Sequence, residues 1–260
     1  SALLMIAPVI DGGLELVMLN KIVSSPYIMM TIELMKQCGI EIEYDKNIIK
    51  VAFQNYKAVS IAVEPDWSAA SYWYEMAALS KEATIILPGL SSQSLQGDSV
   101  VAEIFTQFGI TTIYDSNGVR LSKTNSKIAY FEFDFTSYPD LAQTVAVTCA
   151  ALGIEAKLKG LQNLNKKEAE RLNALNNEFH KIEVNSYILN ENEMIIPISK
   201  INISENTVIS TYNDHRMALA FAPLAIMNNS LVIENASVIS KSYPDFWNHL
   251  KSVNFLIHSI

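Results

Sequence analysis

Two cysteines and four histidines are all that the 260-residue sequence offers for redox or metal chemistry. Cys38 and Cys149 each fall inside an apolar helix pattern, which reads as two buried free thiols in a reducing compartment. The histidines lack HxxxH spacing and no CxxC occurs, so no metal held by the protein is expected. The nine glycines are scattered, and none forms the glycine-rich turn that cradles phosphate in Walker or Rossmann sites. No apolar run reaches the ~18–20 residues needed to cross a membrane, and no signal peptide can be read at the start. Positive charge is also scarce. The 19 Lys and Arg against 27 Asp and Glu leave a net charge of −8, which disfavours nucleic acid or an anionic membrane as a general partner. A small anionic substrate stays compatible, because steering depends on the local field in a cleft.

What the sequence does have is apolar material, half of its residues, enough for one or two sizeable cores. That material is ordered as a repeat. Asp66, Asp140 and Asp214 stand 74 residues apart, and each opens a strongly apolar helical stretch. A strand-like run precedes each (residues 59–63, 130–135 and 207–211) and another follows (83–87, 155–158 and 230–234). An amphipathic helix comes next, over residues 96–109, 166–180 and 243–254. After the first two of these a hairpin is expected, turning at Ser116-Asn117-Gly118 and at Asn190-Glu191-Asn192. The unit is βαβαββ, too long a period for the common solenoids. Residues 1–53 fit the same register without its opening strand and helix cap, so the chain reads as truncated at its N-terminus.

The densest chemistry is Asn213-Asp214-His215-Arg216-Met217-Ala218, at the start of the apolar run 217–227. Asn213 or Asp214 can cap that helix, whose free N–H groups suit an anion. Arg216 opposes the helix dipole there by roughly 0.3–1 kcal/mol, so its place points to an anionic ligand. In the helix expected over 166–180, Lys167, Glu168 and Arg171 would project from the first turn, with Lys167 and Arg171 on one face. Taken singly, each feature has a plain structural reading. Asp140 could be only an N-cap, the charges at 167–171 a solvated face, and Lys241 a surface lysine. Ser24 and Tyr27 could cap and staple a helix, and His215 could hydrogen-bond beside Arg216. Their common position at strand-to-helix junctions, where ligands of α/β units bind, favours a site.

Asn213 to Ala218, Lys241-Ser242-Tyr243-Pro244, Val23-Ser24-Ser25-Pro26-Tyr27 and Lys167-Glu168 with Arg171, in this order, resemble signatures of the 5-enolpyruvylshikimate-3-phosphate synthases. The resemblance runs from Ser1 to the C-terminus. It implies a two-domain inside-out α/β barrel built from βαβαββ units, with residues 1–62 the tail of the upper domain and 63–260 most of the lower. It implies transfer of the enolpyruvyl group of phosphoenolpyruvate to the 5-hydroxyl of shikimate 3-phosphate, in the cytoplasm, by a monomer when full length, with no metal or organic cofactor. By similarity, Asp140 accepts the hydroxyl proton, Lys167 bonds the same oxygen, and Glu168 handles the proton at the methylene carbon. Arg171 and Arg216 would hold the phosphoenolpyruvate carboxylate and Lys241 its phosphate side. Ser24, Tyr27 and Asn163 would line the shikimate phosphate pocket. Asn165, Lys166, Ala169 and Glu170 depart from the usual family residues around Lys167 and Arg171. Two other readings stand beside this one: a UDP-N-acetylglucosamine enolpyruvyl transferase, which shares fold and donor, and a non-catalytic fragment that keeps only the fold. Lacking the family's N-terminal phosphate-binding residues, the piece alone would be inactive.

Overall fold

A computed structural model describes residues 1–19, 22–124, 128–204, 207–228 and 230–258. Residues 20–21, just beyond Leu14–Val17 in the first segment, lie outside the described residues. The first segment comprises α1 (Ala2–Ile6), β1 (Leu14–Val17), α2 (Ser25–Gln37), β2 (Glu43–Asp45) and β3 (Ile48–Val51). The second comprises α3 (Trp67–Leu79), β4 (Thr84–Pro88), α4 (Val101–Thr106), β5 (Ile110–Asp115) and β6 (Gly118–Lys123). The third holds β7 (Tyr130–Asp134), α5 (Ala142–Leu152), β8 (Glu155–Lys159), α6 (Arg171–Lys181), β9 (Tyr187–Leu189) and β10 (Glu193–Ile196). The last holds β11 (Val208–Ile209), α7 (His215–Phe221), α8 (Ala225–Asn228), β12 (Val232–Ile233) and α9 (Phe246–Ser252).

The third segment realises the whole repeat: β7 pairs parallel with β8, and β8 pairs antiparallel with β10, which pairs with β9. The sheets β1-β3-β2 and β4-β6-β5 are antiparallel, and β11 with β12 is a short parallel pair. The expected strand at 59–63 does not form; the backbone there is irregular, with Val63 exposed. A strand needs a paired neighbour to satisfy its N–H and C=O groups, and here, among the described residues, no ladder forms: β4 pairs with β6 on one side only, whereas β8 in the third segment pairs on both.

The three repeated apolar stretches become α3, α5 and α7, which pack on one another in the interior with the sheets outside. Nearly every residue of α5 from Ala142 to Ala151, and all of α7, is buried. A helix with no polar face must be enclosed on all sides. The repeat period aligns the helices. Ser71 Oγ of α3 lies 3.3 Å from Thr144 Oγ1 of α5, and Gln143 Nε2 donates to Met217 Sδ of α7 at 3.1 Å. Their N-termini therefore gather at one end. By contrast α6 buries only one side, with Leu172, Ala174, Leu175 and Phe179 inward.

The buried apolar residues form two separate clusters. One spans Trp67 to Leu250; the other is small and made from Leu4, Ala7, Ile32, Met35, Ile40, Ile49 and Val51. Cys149 is buried inside α5 as a free thiol. Cys38 differs from expectation, because it is the half-buried C-cap of α2.

Candidate functional site

The end where the inner helices begin carries the charged residues. Asp66 caps α3 by accepting the Ser68 N–H at 2.8 Å. Asp214 caps α7, its Oδ1 accepting the Arg216 N–H at 2.9 Å, so the choice between Asn213 and Asp214 falls to the aspartate. Tyr212 and Asn213, just before it, both have positive φ, and Asn235 Nδ2 donates to Asn213 Oδ1 at 2.9 Å. That tight turn aims the Asp214 carboxylate inward. Asp140 breaks the pattern, since it sits within a 3-10 turn (Pro139–Leu141) and Leu141 takes the N-cap position of α5. Its carboxylate is thereby free for other partners, and the capping reading of Asp140 is overturned.

Those partners are cations. Arg216 Nη2 lies 2.9 Å from Asp140 Oδ2, Arg171 Nη1 lies 3.2 Å from Oδ1, and Lys167 Nζ lies 3.6 Å from Oδ1. The Tyr27 hydroxyl donates to Oδ2 at 3.2 Å. Burial alone would push the Asp140 carboxyl up, but Arg216, Lys167, Arg171 and the tyrosine bond outweigh it and hold it below the usual range. Asp140 is therefore ionised at neutral pH.

Arg171 is the hub of the arrangement. Only 1% exposed, it donates from Nε to Asp214 Oδ2 at 2.6 Å and from Nη2 to Glu168 Oε2 at 2.6 Å, besides its contact with Asp140. The charged segment differs from its expected form, because Lys167 and Glu168 precede the helix rather than open it. A 3-10 turn (Leu164–Lys166) ends there, and α6 begins only at Arg171. Asn165 Oδ1 accepts the Leu172 N–H at 3.0 Å, bracing the turn against the helix start. Lys167 and Arg171 thus reach Asp140 from a loop and a helix end, not from one helical face.

Glu168 also faces Lys241 Nζ at 3.5 Å. Burial opposes ionisation of Glu168, yet its own backbone N–H, Arg171 and Lys241 lower its pKa. Asp140, Lys167, Glu168, Arg171, His215, Arg216, Lys241 and Ser242 line an open cleft of about 270 Å³. Ser24 and Asn163 are not on its wall. The Ser24 N–H donates to Thr136 O at 2.9 Å, beside the β7–α5 junction, while Asn163 starts the turn leading to Lys167.

Residues outside the expected set complete the surroundings. The Tyr72 hydroxyl accepts from Arg216 Nη1 at 3.3 Å, and burial pushes that phenol up to about 12 despite the guanidinium. Its only sequence signal is its place, six residues after Asp66 in the first apolar repeat. Among the described residues His215 Nδ1 is buried without a hydrogen-bond partner, 3.7 Å from Asp214 Oδ1, which corrects the expectation of a bonded neighbour of Arg216. Burial and then Arg216 lower its pKa, so the ring is neutral at pH 7.

Around the cleft Lys167, Arg171, Arg216 and Lys241 meet Asp140, Glu168 and Asp214. A polyanion entering the cleft would compete with Asp140 and Glu168 for the guanidinium edges, while Asp214 holds Arg171 Nε. Added negative charge there would raise the proton affinity of both carboxylates.

Known proteins place this geometry in context. Residues 1–250 match the family model for EPSP synthase (3-phosphoshikimate 1-carboxyvinyltransferase). A 3-phosphoshikimate 1-carboxyvinyltransferase of Bacteroides fragilis is 45% identical over 260 residues, covering 98% of this chain and 62% of that protein. The enzyme of the same name from Pasteurella multocida is 31% identical, over 95% of this chain and 56% of the relative. The chain thus spans about six-tenths of the length of the curated relatives it matches. An EPSP synthase structure from Acinetobacter baumannii superposes with a TM-score of 0.73 over 100% of this chain and 60% of its own, at 15% identity. The enolpyruvyl transferase NikO from Streptomyces tendae gives 0.65 over 88% and 53%, at 13% identity. Both structures share the inside-out α/β fold, in which helices are enclosed by sheets.

Proposed function

This chain belongs to the EPSP synthase family, and from that membership we propose that it forms much of an enzyme that moves the enolpyruvyl group of phosphoenolpyruvate onto the 5-hydroxyl of shikimate 3-phosphate, with release of phosphate. The observation that carries this reading is Asp140, an ionised carboxylate held by Arg171, Arg216 and Lys167 at the mouth of a cationic cleft. Two polyanionic substrates need such cations, and addition followed by elimination needs a base and an acid in one place. Asp140 takes the hydroxyl proton, with Lys167 donating to the same oxygen as it becomes nucleophilic. Glu168 gives a proton to the methylene carbon and recovers it during elimination. The Arg171 and Arg216 forks suit a planar carboxylate, and Lys241 suits phosphate. Ser24, Tyr27 and Asn163 lie toward the shikimate phosphate. The reading includes a cytoplasmic monomer when full length. Among the described residues no helix is long and apolar enough to cross a membrane. Residues 1–62 and 63–260 belong to two domains in this reading, a division supported by the two separate apolar clusters.

The test is Asp140→Asn in the chain extended to the length of its relatives. Turnover should fall by roughly 10²–10⁴-fold, assayed well below the melting temperature because two buried arginines also lose a counter-charge. Phosphate release within about twofold of the parent protein would sink the proposal.

A further inference from the structure

One hydroxyl serves two acids at this site. The Tyr27 hydroxyl is 3.2 Å from Asp140 Oδ2 and 3.4 Å from each carboxylate oxygen of Asp98. A phenol has a single proton to donate, so the two carboxylates compete for it. Asp98 is 3% exposed and lies in a 3-10 turn (Gly97–Val100) ahead of α4. Its other partner is the Ser68 hydroxyl, on the first turn of α3, in a short hydrogen bond. Among the described residues no Lys, Arg or His forms an ion pair with it. Gly97 makes the contact with Tyr27 possible: a Cβ there would meet Pro26 Cβ at 2.3 Å. The turn therefore rests directly on the start of α2.

Burying a carboxylate with no bonded cation is costly. Burial, opposed by the Ser68 bond and reinforced by Asp140, pushes the Asp98 carboxyl up to about 6. The charged and titratable groups facing it are Tyr27 from α2, Asp66 from α3, Asp140 from the turn before α5, and Arg216 from α7. Asp140 in turn faces Arg216, Lys167, Arg171 and Tyr27. Three cations around a base stabilise its ionised form and so weaken it as a proton acceptor. A second negative charge nearby, which also draws on the Tyr27 proton, acts in the opposite direction.

We propose that Asp98 is a positioning residue for Asp140: through the Tyr27 hydroxyl, and by its own charge, it keeps Asp140 basic enough to take a proton while the arginines hold it in place. This rests on the reading of Asp140 as the base. At neutral pH Asp98 is ionised and restrains the tyrosine proton from settling on Asp140. When Asp98 is protonated, below about pH 6, Tyr27 donates fully to Asp140 and the base is weakened.

The test uses Asp98→Asn, Tyr27→Phe and their combination. The aspartate carboxyl carbons are titrated by 13C NMR, with Asp140→Asn assigning the resonance, and the pH dependence of turnover is followed in the protein extended to its relatives' length. Asp98→Asn should move the Asp140 titration and the acid limb of kcat down by about one pH unit, and lower the kcat plateau by roughly three- to tenfold. Tyr27→Phe should move the Asp140 titration up, since it removes a donor to the ionised form. In the Tyr27→Phe background the Asp98 effect should shrink. If Asp98→Asn does not fold, Ser68→Ala gives a second route, because loss of that donor raises the Asp98 pKa further, and as Asp98 gains its proton Asp140 should shift in the same downward direction. An Asp140 titration unmoved by either variant, or a shift equal with and without the Tyr27 hydroxyl, would overturn the proposal. Failure of the base reading looks different: Asp140→Asn would then keep its turnover while the NMR coupling could still be present.

Discussion

Arg171 and Arg216 sit at different depths of commitment to the protein. Arg171 has Nε on Asp214 and both terminal nitrogens on carboxylates, whereas Arg216 has Nη2 on Asp140, Nη1 on Tyr72 and on the Asp140 carbonyl, and a buried Nε with no partner among the described residues. If both present a fork to one planar carboxylate, lysine at either position keeps charge and loses geometry. Arg171→Lys and Arg216→Lys should each weaken phosphoenolpyruvate about tenfold or more, and shikimate 3-phosphate by no more than about threefold, in calorimetric titrations of the extended protein. Equal losses for both ligands would remove the carboxylate assignment. At this scale the sequence named most of the cleft: Asp140, Lys167, Glu168, Arg171, Arg216 and Lys241 all line it. It missed Tyr72 and Asp98, because a tyrosine in an apolar run and an aspartate before a helix look ordinary until their distant partners are known.

Among the elements, the caps of the inner helices offer a controlled comparison. Asp66 and Asp214 make the same bond to the second N–H of their helices, but only Asp214 also holds a buried arginine. Asp66→Ala should therefore cost about 0.5–2 kcal/mol, and Asp214→Ala about 3–5 kcal/mol, because it also strips the buried Arg171 Nε of its carboxylate partner. Chemical denaturation would measure both, and equal losses would contradict the role given to the Asp214–Arg171 pair. Helix α3 carries a second test. Glu75 is wholly buried, its oxygens have no hydrogen-bond partner among the described residues, and burial raises its pKa well above the usual carboxylate range. A group whose folded pKa is raised contributes stability below its unfolded value near 4 and loses it as pH rises through the folded value. Glu75→Met should stabilise the fold at pH 8 by about 1–3 kcal/mol and do less at pH 4. A melting temperature unchanged by the substitution at pH 8 would mean the carboxyl has a partner in solution.

For the whole molecule, the two apolar clusters differ greatly in size. The smaller one is covered by short strands and by α1, where Leu3, Met5 and Ile6 are at least half exposed. Less buried apolar area means a lower free energy of local opening. In native-state hydrogen exchange, β1 and β3 should open at a free energy at least ~2 kcal/mol below that of α5 and α7. Uniform protection across both clusters would indicate that they unfold as one unit. The contacts of Tyr27 with Asp140 and Asp98 are where the smaller cluster's α2 reaches the charged end of the larger.

The 74-residue period and the run of apolar residues in each copy were enough to place three helices, each opened by an aspartate, and a helix apolar on every face has to be enclosed. Periodicity also placed both hairpins, and the motif order identified the family. The tertiary structure alone decided what each aspartate of the repeat does. Asp66 and Asp214 cap, while Asp140, one 3-10 turn out of phase, is released to meet two arginines that come from segments 31 and 76 residues away. It also decided that Lys167 and Glu168 stand on a loop, since a helix start depends on a few tenths of a kcal/mol of local propensity that long-range ion pairs readily override. The strand expected at 59–63 failed for the same reason in reverse. Its sequence suits a strand, but pairing depends on both partners, and among the described residues the outer edge of β4 carries no ladder.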